Sequence, residues 1–175
     1  MAYLNPAAGA AREGRSVAGA PVAGTDEVQT ITIGGTPTGG TFKLRHRGQD
    51  TAAITWSATN ATLLANIDAA LEALSTIGTG GCTTAAASLT AGIGTITVTF
   101  TGANGKRVQP VMAVIDNSLT GTAPTVAVAE TTPGVNATHR GAPKGAELVD
   151  TTNGIAYINT GTADAPTWTK TGTQT

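Results

Sequence analysis

Aromatic rings are scarce in this sequence. They make up 3% of 175 residues, namely Tyr3, Phe42, Trp56, Phe100, Tyr157 and Trp168. A core with so few rings rests on Val, Ile, Leu, Ala and threonine methyl groups. It is thin for the chain length, so assembly with other subunits is expected to complete it. Charge is scarce as well. Asp, Glu, Lys and Arg account for 12% of residues, with a net charge of −1, about half the usual share for a soluble domain. No global field directs such a chain to nucleic acid or to a membrane surface. Sparse charge also leaves little to hold a monomer apart from its neighbours. This favours a protein packed against copies of itself or a large partner over a free, secreted β-rich domain. Cys82 is the single cysteine. It excludes an intramolecular disulfide and a cysteine metal cluster, and it suits a small buried filler. No run approaches ~18 consecutive apolar residues, so no segment is expected to span a bilayer as a helix. The N-terminus lacks a charged region followed by an apolar run, the mark of a signal peptide, which implies synthesis in the cytoplasm.

What is present is one helix among strands. From Ser57 to Leu74, the residues Leu63, Leu64, Ile67, Ala70, Leu71 and Leu74 recur at helical spacing, which predicts an amphipathic helix with Ser57, Thr59 or Asn60 as its cap. Gly78, Gly80 and Gly81 end it. Before it, alternation predicts strands over residues 28–33, 41–47 and 51–56, with a turn at the glycine-rich segment 34–40. After it, strands are expected over 82–89, 95–100, 108–115 and 125–129, with 116–124 as a polar loop. The expected fold is α+β and mostly β: antiparallel sheets of about seven short strands on one helix. Residues 1–26, rich in Ala and Gly, read as an extended N-terminal arm, with 27–130 as the core domain and 131–138 as a linker. Residues 139–175 read as a small β-hairpin module bent at Asn153-Gly154. No repeat of 20–50 residues is present.

The search for chemistry finds little. His46 and His139 stand outside any metal-binding spacing, and the cationic neighbours Arg45 and Arg47 disfavour metal at His46. No serine sits in a nucleophile motif, and no carboxylates pair for acid and base work. Asp116-Asn117 and Asp150 with Asn153 read as turn formers, since each loop lacks the five or six oxygens that calcium needs. No catalytic residue, metal site or cofactor is therefore expected, and the protein is expected not to be an enzyme. Lys43, Arg45 and Arg47 alternate along one predicted strand and form a basic stripe, either a solvated face or a dock for an acidic partner. In the arm, Tyr3, Leu4, Val17 and Val22 are apolar enough to dock on a neighbour, and Arg12 and Arg15 can meet acidic groups. Tyr157 and Trp168 are expected to pack on the main domain or on a neighbour.

Residues 28–44, with Pro37-Thr38-Gly39-Gly40-Thr41-Phe42, precede an Ala/Leu helix over 61–74 and then Thr97-Val98-Thr99-Phe100-Thr101-Gly102. This order resembles a module of tailed-bacteriophage virion proteins. The segment 144–162 resembles a terminal module of phage head-decoration and fibre-type proteins. The resemblance implies a virion protein of the capsid decoration type. Its partners would be the major capsid protein and copies of itself, as a homotrimer on the outside of the head, with neither nucleic acid nor membrane. It would cement the shell through the arm, the basic stripe and the C-terminal module. A tail tube or fibre protein is the alternative, although no long hairpin is legible for a tube. A carbohydrate-binding surface domain is the second alternative.

Overall fold

The computed structural model describes residues 15–171. In chain order the elements are β1 (Arg15–Val17), β2 (Val28–His46), β3 (Gln49–Asp50), β4 (Ile54–Thr55), α1 (Asn60–Glu72), β5 (Cys82–Thr90), β6 (Ile93–Phe100), β7 (Ala113–Thr132), β8 (Glu147–Asp150), β9 (Ile155–Asn159) and β10 (Trp168–Lys170). The protein is thus mostly β, an α+β fold, with one α-helix among the described residues, and all strand pairs among them except β1–β8 are antiparallel. The described residues fall into two units. One is Gly24–Asn136; the other joins residues 15–23 to 137–171.

In the first unit β2 is the spine. It pairs with β7 along one side and with β6, β4 and β3 along the other, and β5 lies beyond β6. Period-two alternation sends Gln29, Ile31, Ile33, Phe42, Leu44 and His46 inward, all at most 1% exposed. Ile96, Val98 and Phe100 of β6 join them, and α1 closes the core with Leu63, Ile67 and Leu71. Each of these aliphatic side chains contributes about 1.5–3 kcal/mol by leaving water. Thr59 stands at the N-cap without a side-chain cap bond. Asn60, expected as a possible cap, instead ties the helix start to the β5–β6 connection. Its Nδ2 donates to Leu89 O (2.8 Å), and its Oδ1 accepts from the Gly92 N–H (2.9 Å).

The long strands depart from the sequence expectation. The glycine-rich segment 34–40 and the polar segment 116–124 were expected to break the chain into short strands. They pair with each other instead, so that β2 has 19 residues and β7 has 20. The glycines make bulges, not turns. The register shifts between Gly34 and Thr36 and between Pro37 and Gly39. Gly121 adopts φ +128°, and a Cβ there would fall inside the van der Waals shell of the Thr36 carbonyl oxygen. Close backbone approach, rather than chain reversal, is what these positions require. The expected linker begins inside β7, which runs to Thr132. The expected strand over 108–115 begins only at Ala113.

The second unit is a four-stranded sheet ordered β1-β8-β9-β10. The β8–β9–β10 meander needs a further strand to bury its inner row, and Arg15–Val17 supplies it, parallel to Leu148–Asp150. Residues 15–17, expected in an extended arm, are therefore a strand of this sheet. Asp150, with no exposed surface, organises the turn: Oδ1 accepts from the N–H groups of Gly19, Thr152 and Asn153, and Oδ2 accepts from Asn153 Nδ2 (2.7 Å). These donors, the Asn153 side chain foremost, hold the Asp150 carboxyl below the usual carboxylate range. Asn159 performs the same task for the 160–167 loop. It accepts from the N–H groups of Gly161 and Thr167 and donates to the Ala142 carbonyl (2.7 Å).

Candidate functional site

The sequence-derived contact residues are divided between the two units. Tyr3, Leu4 and Arg12 lie outside the described residues. Arg15 and Val17 sit on β1, paired with Leu148 and Asp150. Val22 is 49% exposed, but its backbone is fixed: its N–H donates to Thr138 Oγ1 (2.8 Å), and its carbonyl accepts from the Thr138 N–H (2.9 Å). Tyr157 is buried opposite Leu148, and Trp168 donates its indole N–H to the Thr138 carbonyl (2.9 Å). Both rings are engaged with residues of their own unit. Trp56 is similarly tied to the Gly92 carbonyl (2.9 Å).

The basic stripe does not survive as a stripe. Lys43 and Arg45 point away from the core as expected. Arg47 falls past the end of β2 in the connection to β3, with φ +49°, and its guanidinium donates to Gln109 Oε1 (2.8 Å). Arg45 grips Asp50 through two nitrogens, at 2.5 and 2.9 Å. That hydrogen bond holds the Asp50 carboxyl below its ordinary range. Lys43 stands opposite Asp116 in the β2–β7 register. An acidic partner would have to compete with carboxylates already in place.

A buried polar network at the head of β2 escaped the sequence reading. Glu27 is fully buried. Its Oε1 accepts from Gln29 Nε2 (2.6 Å), and its Oε2 accepts from the Gln109 N–H (2.5 Å). Gln29 also donates to the Pro110 carbonyl (3.0 Å) and accepts from the Met112 N–H (2.9 Å). Gln109 donates to the Asn104 carbonyl (2.7 Å). The network satisfies the Gln109 and Met112 N–H groups and the Pro110 carbonyl, in a segment that pairs with no strand among the described residues. One signal was present: Gln29 shares the inward face with Ile31 and Ile33, where a polar side chain needs partners. His46, stacked on Phe100 at 5.3 Å, meets Thr76 Oγ1 through Nδ1 (3.1 Å). Burial, and next the Arg47 charge, lower its pKa. Burial pushes the Cys82 thiol up to about 12, so it is no nucleophile. Among the described residues no group of His, Cys, Asp and Glu is arranged to hold a metal ion. No helix among them is long and apolar enough to cross a membrane.

What the unit does present is open strand. Among the described residues β7 pairs with β2 alone and β5 with β6 alone. β5 carries no charged residue, and β7 carries only Asp116 and Glu130. Exposed edges of soluble proteins are ordinarily guarded by charge, proline or a bulge. On β7 the guards are Pro124 and the register shifts, and all lie outside the stretch Thr125–Ala129. On β5 the shift falls between Ala86 and Ser88, and within the regular stretch Cys82–Ala86 the Asp68 carboxylate of α1 lies against Thr84. The solvent face of the sheet between these edges is hydroxyl and methyl: Thr30, Thr32, Thr95, Thr97 and Thr99 lie between Ala127 and Ala129 on one side and Thr83 and Ala85 on the other. The chain matches no protein family model and no curated protein sequence.

Proposed function

We propose that this chain is a structural protein of a tailed-phage virion, of the capsid decoration type. It binds the outside of the assembled head and steadies it through contacts with the major capsid protein and with its own copies, as a homotrimer. The observation that carries the reading is the pair of nearly uncharged strands, β5 and β7, at the two ends of one sheet, each with a single strand partner among the described residues. A surface of this kind is suited to strand pairing and neutral contact between subunits. Many modest contacts repeated over a shell sum by multivalency. The resemblance of residues 28–44, 61–74, 97–102 and 144–162 to virion modules supports the same assignment.

A tail tube subunit is the second reading, and one observation favours it. The expected obstacle was the lack of a long strand pair, yet β2 and β7 pair over nearly their whole lengths. Over Gly34–Gly40 the ribbon is two-stranded, since β6 stops pairing at Ile33 and β4 starts at Thr41. Immunogold labelling of intact virions with antibody to residues 138–171 tests both. Dense label over heads is expected. Label confined to tails transfers the assignment to the tube, and virions without label overturn both readings.

A further inference from the structure

We infer that Asn153 is a site of spontaneous chemical modification: its side-chain amide is lost to attack by the Gly154 nitrogen when the β8–β9 turn opens, and the carboxylate left behind unties that turn from the end of β1. The inference is independent of the proposed function. It begins with the sequence, which holds two Asn-Gly pairs, Asn104-Gly105 and Asn153-Gly154. Asparagine is most prone to this loss before glycine, because glycine has no side chain to bar its own nitrogen from the asparagine Cγ. The fold treats the two pairs differently. Asn104 is 4% exposed, and its Nδ2 donates to the Ile77 carbonyl (2.8 Å). A Cβ on Gly105 would meet Asp26 Oδ1 at 2.8 Å, so this pair is hemmed in. Asn153 and Gly154 are exposed, and a Cβ on Gly154 would meet nothing within 4 Å. Water and the reacting atoms have room there.

In the closed turn Asp150 guards the pair. Its Oδ2 accepts from Asn153 Nδ2 (2.7 Å), its Oδ1 from the Asn153 N–H (3.2 Å), and its carbonyl from the Gly154 N–H (2.8 Å). Nucleophile and leaving group are thus both committed to one residue until the turn opens. Openings of exposed turns lie at the low end of native stability. In the open turn the Gly154 nitrogen loses its proton to water and bonds to Asn153 Cγ. The Cγ–Nδ2 bond breaks, and the amide nitrogen takes a proton and leaves as ammonia, so a cyclic succinimide remains. Water then opens the ring. Attack at Cγ yields aspartate, and attack at the backbone carbonyl yields isoaspartate. The sum is one water consumed and one ammonia released. Neither product can donate to Asp150, whose Oδ2 has no other donor among the described residues. A buried acceptor without a partner carries its full desolvation cost, and a second carboxylate nearby adds repulsion. The turn gives way where it ties the end of β1, at the Gly19 N–H on Asp150 Oδ1 (2.9 Å) and the Thr151 N–H on the Val17 carbonyl (2.8 Å). β1 has three residues, so these bonds are a large share of its hold. The reaction runs one way and marks each copy by its age.

The test uses the purified full chain, aged in mildly alkaline buffer and, in parallel, in urea. Tryptic peptides are followed by mass spectrometry for conversion of amide to acid. Asn153 is expected to convert in the folded protein about 10- to 1000-fold more slowly than in urea, as a reaction gated by local opening does. Asn104 is expected to convert in urea and to lag behind Asn153 in buffer. A folded-state rate at Asn153 equal to that in urea, or below that range, overturns the inference, as does Asn104 keeping pace with Asn153 in buffer. The consequence is read by hydrogen exchange on Asn153→Asp. Protection of the Gly19 and Thr151 amides is expected to fall ~10-fold or more, while the β8–β9 ladder keeps its own. Unchanged protection at either amide overturns the inference. Circular dichroism checks the fold of the variant. Should it fail to fold, the acidic form that accumulates in aged wild type, separated by ion exchange, is compared with the unmodified protein in its place.

Discussion

Replacing Glu27 by Gln removes one acceptor from a site that has two donors. In the folded protein the carboxylate oxygens receive Gln29 Nε2 and the Gln109 N–H, and no part of the residue reaches solvent. Glutamine keeps the volume but turns an NH2 group toward one of those donors. The substitution forfeits one hydrogen bond to a charged group, about 1.5–3 kcal/mol, and opposes two donors in a dry site, about 1–3 kcal/mol. Part of this returns, because a carboxylate withdrawn from water carries a desolvation cost that the amide escapes. The expected net loss is about 2–3 kcal/mol. For a unit near a hundred residues that lowers Tm by roughly 10 °C. Trp56 lies in this unit and Trp168 in the other. Urea unfolding followed by fluorescence in a Trp168→Phe background therefore reads the relevant transition. Glu130→Gln, at an exposed position of β7, is the control, expected within about 0.5 kcal/mol of the parent. A Glu27→Gln loss no larger than that of the control would refute the view that this carboxylate anchors residues 109–112.

The remaining predictions concern single side chains. His46 has a folded pKa below its ordinary 6.5. As pH falls below that value the unfolded chain takes up a proton that the folded chain resists, so stability present above it is lost toward the depressed folded pKa. His46→Gln is expected to flatten the stability curve below pH 6.5, and equal slopes would count against the assignment. Cys82 is expected to react with a thiol reagent at pH 8 only after unfolding, at least ~100-fold faster in denaturant than in buffer; rapid labelling of the native protein would contradict its burial. Gly121→Ala is expected to cost about 2 kcal/mol or more, since it combines backbone strain with a clash at Thr36. Gly48→Ala, at φ +80° with open space around it, is expected to cost less. Comparable losses in a denaturant titration would show that the β2–β7 approach is not tight.

The helix and the inward rows were legible because period 3.6 and period 2 are written in the side chains. Leu63, Ile67 and Leu71 appear on the buried face, as do Phe42, Leu44 and His46. The length of β2 was not legible. Gly34-Gly35 and Gly39-Gly40 have the composition of a turn, and only the pairing with 118–125, some eighty residues away, makes them bulges. Arg47 was placed on the face of Lys43 and Arg45 by counting in twos. The positive φ that takes it off that face depends on the neighbouring Gly48 turn and on Gln109. The role of Asn60 was misread for a related reason: a local cap competed with two backbone groups near residue 90, and the distant groups won. No pattern within three residues announces the partner of β1, because Arg15–Val17 has too few residues to alternate.

That partner has a consequence for the order of events at the ribosome. Val17 pairs with Asp150, and the whole of Gly24–Asn136 is made between them. At about 5–20 residues per second, β1 waits roughly 7–27 s for its ladder to emerge. The intervening unit has all its own strands in hand by Thr132 and is able to fold during that delay. Its collapse shortens the open chain between β1 and β8, which lowers the entropy cost of closing so large a loop. Until then Arg15–Val17 is an unclaimed strand beside other nascent chains on the same message. Slower translation through the last third of the gene is therefore expected to lengthen the time in which β1 is open to a sibling copy.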